Sequence, residues 1–280
     1  MDIKLPSVEI LVATMHRSSF DFLWDMFKHN NHDDFNILIV NQTTPDKQLV
    51  SHFEHIKVIN SFEFGVPKSR NLAISNATSD ICLMADDDIV YQPHLKTIIT
   101  DAYLKYPDAA MISFEAIDED MLKYTNYSSE GNHTEKSLKK IYTWVISFNR
   151  ESYLKDIIFY NMHFGFGASF TGEEEYVFLR NAYDKGLKMI HVSETIVQHP
   201  NENSGRLMGS DNALFARSAL THRFYGNFSY LWLLKYVLFI YRYDYITFSQ
   251  MPAKFRMGLK GIAKYKALSK SGEIDKIHDS

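Results

Sequence analysis

The feature that most restricts the fold is a regular exchange, over the first hundred residues, between short β-rich runs and amphipathic stretches. VEILVAT (8–14), FNILIVN (35–41), IKVIN (56–60) and DICLMA (80–85) are rich in aliphatic and β-branched residues and bounded by polar or turn residues, which predicts four strands. Between them, SSFDFLWDMFKHN (18–30) and VPKSRNLAISNA (66–77) carry helical spacing, and PHLKTIITDAYLKY (93–106) opens on Pro93, a residue suited to a first helical turn. This alternation predicts an α/β domain with a mostly parallel central sheet flanked by helices.

In such a sheet, ligands bind beyond the carboxyl ends of the strands. Asp86, Asp87 and Asp88 follow the fourth expected strand directly. Adjacent carboxylates disfavour joint ionisation unless exposed or neutralised by a cation. In an extended loop Asp86 and Asp88 share a side and Asp87 faces away. That spacing can present one or two hard oxygen ligands to Mg²⁺ or Mn²⁺, leaving other positions to water or phosphate. The same residues would also suit a solvated turn that caps the following helix, and D-x-D alone does not decide between the two.

Further on, AAMISFEA (109–116) reads as a fifth strand, and the polar stretch 117–140 is long enough for a lid or binding loop. IYTWVISF (141–148) predicts a strand followed by a short helix. FGFGASFTGEEEYVFLRNAYDKG (164–186) predicts a glycine-rich loop and a helix from about Glu173, closed by Gly186. LKMIHV (187–192) and ETIVQH (194–199) predict two short strands. Past His199 the chain turns to helices rich in aromatic and basic residues, and 251–270 carries six Lys or Arg and no acid.

A formal charge of −4 argues against a general nucleic-acid binder, which would carry a basic excess. The single cysteine, Cys82, has no intramolecular partner and sits in an apolar run, as a small core residue would. With no signal-peptide pattern in MDIKLPSVEI, a cytoplasmic setting is expected. The run nearest to a membrane span, YLWLLKYVLFIY (230–241), is interrupted by Lys235.

Three blocks in order, VEILVATMHR, GVPKSRNLAISNATSDICLMADDDIVY and TGEEEYVFLRNAYDKG, resemble the GT-A fold glycosyltransferases of family 2, over about residues 7–205. The resemblance implies a GT-A domain over 1–205, with a donor-binding part to about 115 and an acceptor-binding part from about 116. A helical, aromatic and basic extension over 206–280 lies outside it. It further implies that Asp86 and Asp88 hold Mn²⁺ or Mg²⁺ against the donor diphosphate, with His199 as a third ligand. Thr14, Arg17, Asn41, Arg70, Asn71, Asp86 and Asp87 would then face the donor. Glu174 falls at the place of the general base, and Trp144, Glu173 and Glu175 fall on the acceptor side. Ser204 and Arg206 would come from a closing loop.

Two positions depart from the family pattern. VNQTTPD (40–46) offers the amides Asn41 and Gln42 where acidic residues commonly meet the base, and Glu174 stands where Asp is usual. The implied activity is inverting transfer of a sugar from a nucleotide-sugar donor, expected to be UDP-linked, to a saccharide hydroxyl in bacterial surface polysaccharide or glycan assembly. A nucleotidyltransferase and a noncatalytic glycan- or sugar-nucleotide-binding module are the rival readings. The tail, aromatic over 227–245 and then basic, matches an interfacial helix drawn to anionic lipid at the inner face of the plasma membrane, which would suit a lipid-linked acceptor. A packed helix pair or a dimer contact would give the same pattern.

Overall fold

The computed structural model describes residues 5–200 and 208–276. They form two compact units, one built on 5–64, 68–159 and 178–200, the other on 65–67, 160–177 and 208–276.

The first unit holds the sheet. β1 (Val8–Met15), β2 (Asn36–Gln42), β3 (Ile56–Ser61) and β4 (Ile81–Asp86) are parallel, in the spatial order β3-β2-β1-β4. The near-continuous apolar runs of β1, β2 and β4 belong to strands covered on both faces, and Ile10, Leu11, Val12, Leu83 and Met84 are fully buried. Cys82 is also fully buried on β4, and burial above all pushes its thiol well above the usual range. Three of the predicted connecting helices are present as α1 (Asp21–Met26), α2 (Val66–Asn76) and α3 (Leu95–Lys105). α1 is shorter than its pattern because Asn30 is used elsewhere. Its side-chain oxygen accepts from Leu95 N at 3.1 Å, satisfying an amide at the start of α3, and its Nδ2 donates to Gln92 O at 2.9 Å.

Beyond β4 the order continues β8-β6-β9-β5, with β5 (Val90–Tyr91), β6 (Met111–Ile117), β8 (Ile146–Asn149) and β9 (Met189–Gln198). β8 is antiparallel to both β4 and β6, while β6 and β9 are parallel. IYTWVISF therefore splits into a 3₁₀ turn, Thr143–Val145, and the short β8. The two strands expected before His199 are one continuous β9, whose middle residues Ser193 and Glu194 are exposed while its ends are buried. The polar stretch 117–140 is partly ordered by β7 (Gly131–Asn132), paired with β9, and by α4 (Glu135–Leu138), which opens on a Thr134–Ser137 capping box.

A buried polar row ties that stretch to the sheet. Ser137 Oγ lies 2.9 Å from His133 Nδ1, His133 Nε2 is 2.8 Å from Ser113 Oγ, and Ser113 Oγ is 3.2 Å from His191 Nδ1. His191 Nε2 is 3.4 Å from Glu115, whose other oxygen pairs with Lys123 at 2.6 Å. Burial first, and His191 next, push His133 down to about 4.

The second unit is mainly helical: α7 (Asp211–Tyr225), α8 (Phe228–Arg242) and α9 (Met251–Lys270). Two glycines let α9 approach the other two closely. A Cβ at Gly261 would lie 2.1 Å from Phe215 O, and one at Gly258 would lie 2.3 Å from Leu233 Cδ1. Leu214, Leu233, Val237, Ile240 and Ile262 form one core, and Phe164, Phe170, Val177, Ala216 and Ala219 form another. α8 nevertheless leaves Phe228, Leu231, Leu234 and Leu238 exposed. Among the described residues, no helix is long and apolar enough to cross a membrane. α5 (Arg150–Lys155) follows β8 in the first unit, and α6 (Glu174–Asp184) begins in the second unit and ends in the first.

Candidate active site

Strand register aligns the donor-side residues at the carboxyl ends of β1, β2 and β4. Ala13 is opposite Asp86 and Thr14 is opposite Asn41. The acidic triplet starts on β4 and enters a turn at once, so its side chains diverge instead of alternating as in an extended loop. Asp86 Oδ1 accepts from Arg70 Nη2 at 3.0 Å; Arg70, on α2, is almost wholly buried, as is Asn71 beside it. Asp87 Oδ2 accepts from Thr14 Oγ1 at 2.5 Å and from Arg17 Nε at 2.7 Å. Asp88 Oδ1 lies 3.6 Å from His199 Nε2. Asp86 and Asp87 thus each have donors of their own, while Asp88 faces His199, beyond hydrogen-bond distance. Burial foremost, reinforced by Asp86 and Asp87 against the pull of His199, holds Asp88 above the usual carboxylate range.

Asn41 differs from its expected place against a nucleobase. It is fully buried; its Oδ1 accepts from Arg17 N at 3.1 Å, and its Nδ2 donates to Arg17 O at 3.0 Å and Asn60 Oδ1 at 3.0 Å. Both amide protons are therefore spent within the protein. The residue fixes the backbone of Arg17, which in turn fixes Asp87. Gln42 is likewise buried, with Nε2 donating to Ser69 Oγ at 3.2 Å.

His199 closes β9. Its Nδ1 must donate to Pro200 O at 2.7 Å, because a carbonyl only accepts. With Nδ1 so used, Nε2 is the ring nitrogen left facing Asp88. Donation from Nδ1 to a carbonyl is also the orientation found in metal-bound histidines. The donor set of two carboxylates and an imidazole fits a divalent metal, although the ligand atoms of Asp86, Asp88 and His199 are not gathered within 4.8 Å of one another. Trp144 is 4% exposed, stacked at 4.8 Å on His199 and at 5.0 Å on Tyr142, with Tyr124 edge-on at 5.0 Å. It is thus packed into the wall behind His199, and little of its ring is open to a sugar.

In the second unit, Gly172 and Glu173 both have left-handed φ, +86° and +67°, which turns the chain sharply into α6. For Glu173 this is a strained backbone, held by Arg217 Nε donating to Glu173 Oε1 at 2.7 Å. Arg217 also donates to Tyr236 OH at 2.7 Å, and the Tyr236 hydroxyl donates to Met208 O at 3.1 Å. Burial works to lower the Arg217 guanidinium, but the charge and hydrogen bond of Glu173 prevail and hold it above its ordinary value. Glu174 is 3% exposed and packs on Gly165, where a Cβ would lie 3.4 Å from Glu174 Cδ and 3.0 Å from Pro67 Cδ. Glu175 is half-buried in the same first turn, where the helix dipole favours acids. His163, whose Nε2 is 3.0 Å from Glu273 O, ties the glycine-rich loop to the tail. Ser204 and Arg206 lie outside the described residues.

Sequence reasoning missed Arg217, Tyr124 and Tyr142. Arg217 lies 44 residues from Glu173 with no motif around it, and the tyrosines fall in the stretch read as a loop. The paired glycines of FGFG were the one signal for the bed under Glu174.

The sequence profile described as "Glycosyl transferase family 2" matches residues 11–177, inside the stretch where the resemblance was expected. No curated protein matches the chain in sequence. Among solved structures, S. aureus TarS 1–349 is similar at 11% identity with a TM-score of 0.54, covering 96% of this chain and 93% of that one. The TarS 1–349 structure in complex with UDP gives the same figures. The structure in complex with UDP-GlcNAc gives 13% identity and a TM-score of 0.52, over 96% of this chain and 93% of that one.

Proposed function

The chain belongs to glycosyl transferase family 2 and has a GT-A fold, and on that premise we propose that it transfers a sugar from a UDP-linked donor to a saccharide hydroxyl with inversion. The observation that carries this reading is the acidic triplet at the carboxyl end of β4, with Asp86 held by Arg70, Asp87 held by Thr14 and Arg17, and Asp88 facing His199. A uridine nucleotide is supported by the fold alone, through its likeness to the UDP and UDP-GlcNAc complexes of TarS.

In this reading Asp86, Asp88 and His199 hold Mn²⁺ or Mg²⁺, and Asp87, fixed by Thr14 and Arg17, meets the ribose or sugar. The bound cation supplies charge neutralisation for the departing diphosphate. Arg70 and Asn71 line the diphosphate side from α2. Asn41 acts one step back, holding Arg17. Glu174 accepts the proton of the acceptor hydroxyl as that oxygen attacks the anomeric carbon. The bond from that carbon to the diphosphate oxygen breaks, its electron pair leaves with the nucleoside diphosphate, and attack from the opposite face inverts the centre. Glu173 is engaged by Arg217 and positions the turn, Glu175 borders the acceptor side, and Trp144 braces His199 from behind. Glycan assembly at a bacterial surface is the proposed setting. The exposed face of α8, Phe228, Leu231, Leu234 and Leu238, gives peripheral membrane contact near a lipid-linked acceptor.

A panel of nucleotide sugars with Mn²⁺ or Mg²⁺ tests the reading, with Glu174→Gln as companion. One donor should bind and turn over, and the variant should keep its affinity while losing about 10²–10⁴ in transfer. Failure of every nucleotide sugar to bind would sink the transferase reading; equal turnover by the variant would remove Glu174 from it. Release of pyrophosphate would favour the nucleotidyltransferase.

A further inference from the structure

A second cluster of metal-ligating side chains lies at the amino ends of the strands, opposite the acidic triplet. His32 and Asp33 belong to a 3₁₀ turn, His32–Asp34, that leads into β2, and His55 immediately precedes β3. His32 Nδ1 is 3.0 Å from His55 Nε2 and 3.1 Å from Asp33 Oδ1, and His55 Nε2 is 3.3 Å from Asp33 Oδ1. Among the described residues this is the one group of three or more such side chains whose ligand atoms all lie within 4.8 Å.

The spacing suits a first-row metal. At bonds of about 2.0–2.1 Å, two ligands at a right angle stand about 2.9 Å apart and two at a tetrahedral angle about 3.3 Å apart, and the three separations span that interval. Two imidazoles with one carboxylate select a borderline ion such as Zn²⁺ over Mg²⁺ or Mn²⁺. The backbone already fixes the group: Asn31 Oδ1 accepts from Asp33 N at 3.3 Å, and His55 O accepts from Ile37 N at 2.8 Å. Trp24 packs on His32 at 4.7 Å, and Phe53 lies edge-on to His55 at 6.0 Å, giving the apolar surround that steadies a metal-bound ring. Without metal, one imidazole N–H can donate to the other ring nitrogen. With it, both lone pairs turn to the ion.

We propose that His32, Asp33 and His55 bind one Zn²⁺-class ion, separate from the donor metal, which clips the edge strand β3 to β2. Among the described residues, β3 is the outermost strand beside β2, with no partner on its other side, so a crosslink there holds the most easily frayed edge of the donor-binding half.

The test uses full-length protein without a polyhistidine tag, carrying Asp86→Asn and Asp88→Asn to silence the triplet. Co²⁺ should bind once per chain with a visible ligand-field band that Zn²⁺ displaces and excess Mg²⁺ does not. At a hundredfold excess over its Kd, Zn²⁺ should raise the unfolding midpoint by about 5 °C. His32→Gln and His55→Gln should each abolish both effects. Asp33→Asn, at an exposed side chain that leaves the ring packing alone, should weaken binding by at least about tenfold. Absence of Co²⁺ and Zn²⁺ binding, or binding unchanged in all three variants, overturns the proposal. Neither result bears on the triplet.

Discussion

Acidification should loosen the first unit through one residue, His133. The imidazole is 6% exposed and held between Ser113 and Ser137. Its pKa falls from 6.5 to about 4 in the folded chain, chiefly through burial. An unfolded chain protonates this histidine below about pH 6.5, whereas the folded one resists until about pH 4. The unfolded state therefore binds the extra proton, and stability falls as pH drops through that window; it is fully present above it. That displacement is worth roughly 3 kcal/mol in all, most of it already lost at about pH 4.5. Urea unfolding from pH 7 to 4.5 measures this, followed by tryptophan emission with Trp232 changed to Phe so that only Trp24 and Trp144 of the first unit report. His133→Gln keeps an amide between the two serines but cannot titrate. Its stability should fall less steeply than the wild type, by up to about 1.4 kcal/mol per pH unit. Equal slopes in the two proteins would refute the assignment to His133.

Gly261→Ala, with its Cβ forced to 2.1 Å from Phe215 O, should cost the helical unit about 3 kcal/mol, read as a lower urea midpoint for Trp232 emission. Gly165→Ala combines a φ of +125° with crowding of Pro67 and Glu174, so turnover should fall at least tenfold while donor affinity, measured by calorimetry, stays within about twofold. Asp88→Asn should weaken nucleotide-sugar binding about tenfold with Mn²⁺ present and leave binding in chelator unchanged; equal loss in both conditions would remove Asp88 from the metal. Changing Leu231, Leu234 and Leu238 together to Gln should abolish flotation with anionic vesicles without lowering the folded unit's midpoint, since all three are exposed.

The parallel half of the sheet was legible because β1, β2 and β4 are covered on both faces and so read as apolar runs within one short window, and β3 repeats the pattern more weakly at the edge. Asp86 to Asp88 were legible for the same local reason. The partner of each was not, since Thr14 and Arg17 lie 73 and 70 residues from Asp87 and only the β1–β4 register joins them. Asn41 looked like a base reader because an exposed amide and a buried one are the same letter. β9 was divided in two because Ser193 and Glu194 interrupt its apolar pattern, although the strand crosses them at an irregularity and pairs with β6 on both sides. His32 and His55 come together only through the β2–β3 pairing, which no spacing along the chain announces.

Cys82 gives this chain an internal clock. It is the sole thiol, lies at the centre of the sheet between β1 and β8, and burial keeps it in the unreactive protonated form. An alkylating reagent can reach it only when the sheet opens, and the helical unit contributes no background. The rate of labelling in native buffer therefore times the opening of the donor-binding half alone, and a nucleotide or metal that closes that half should slow the clock in proportion to the stability it adds.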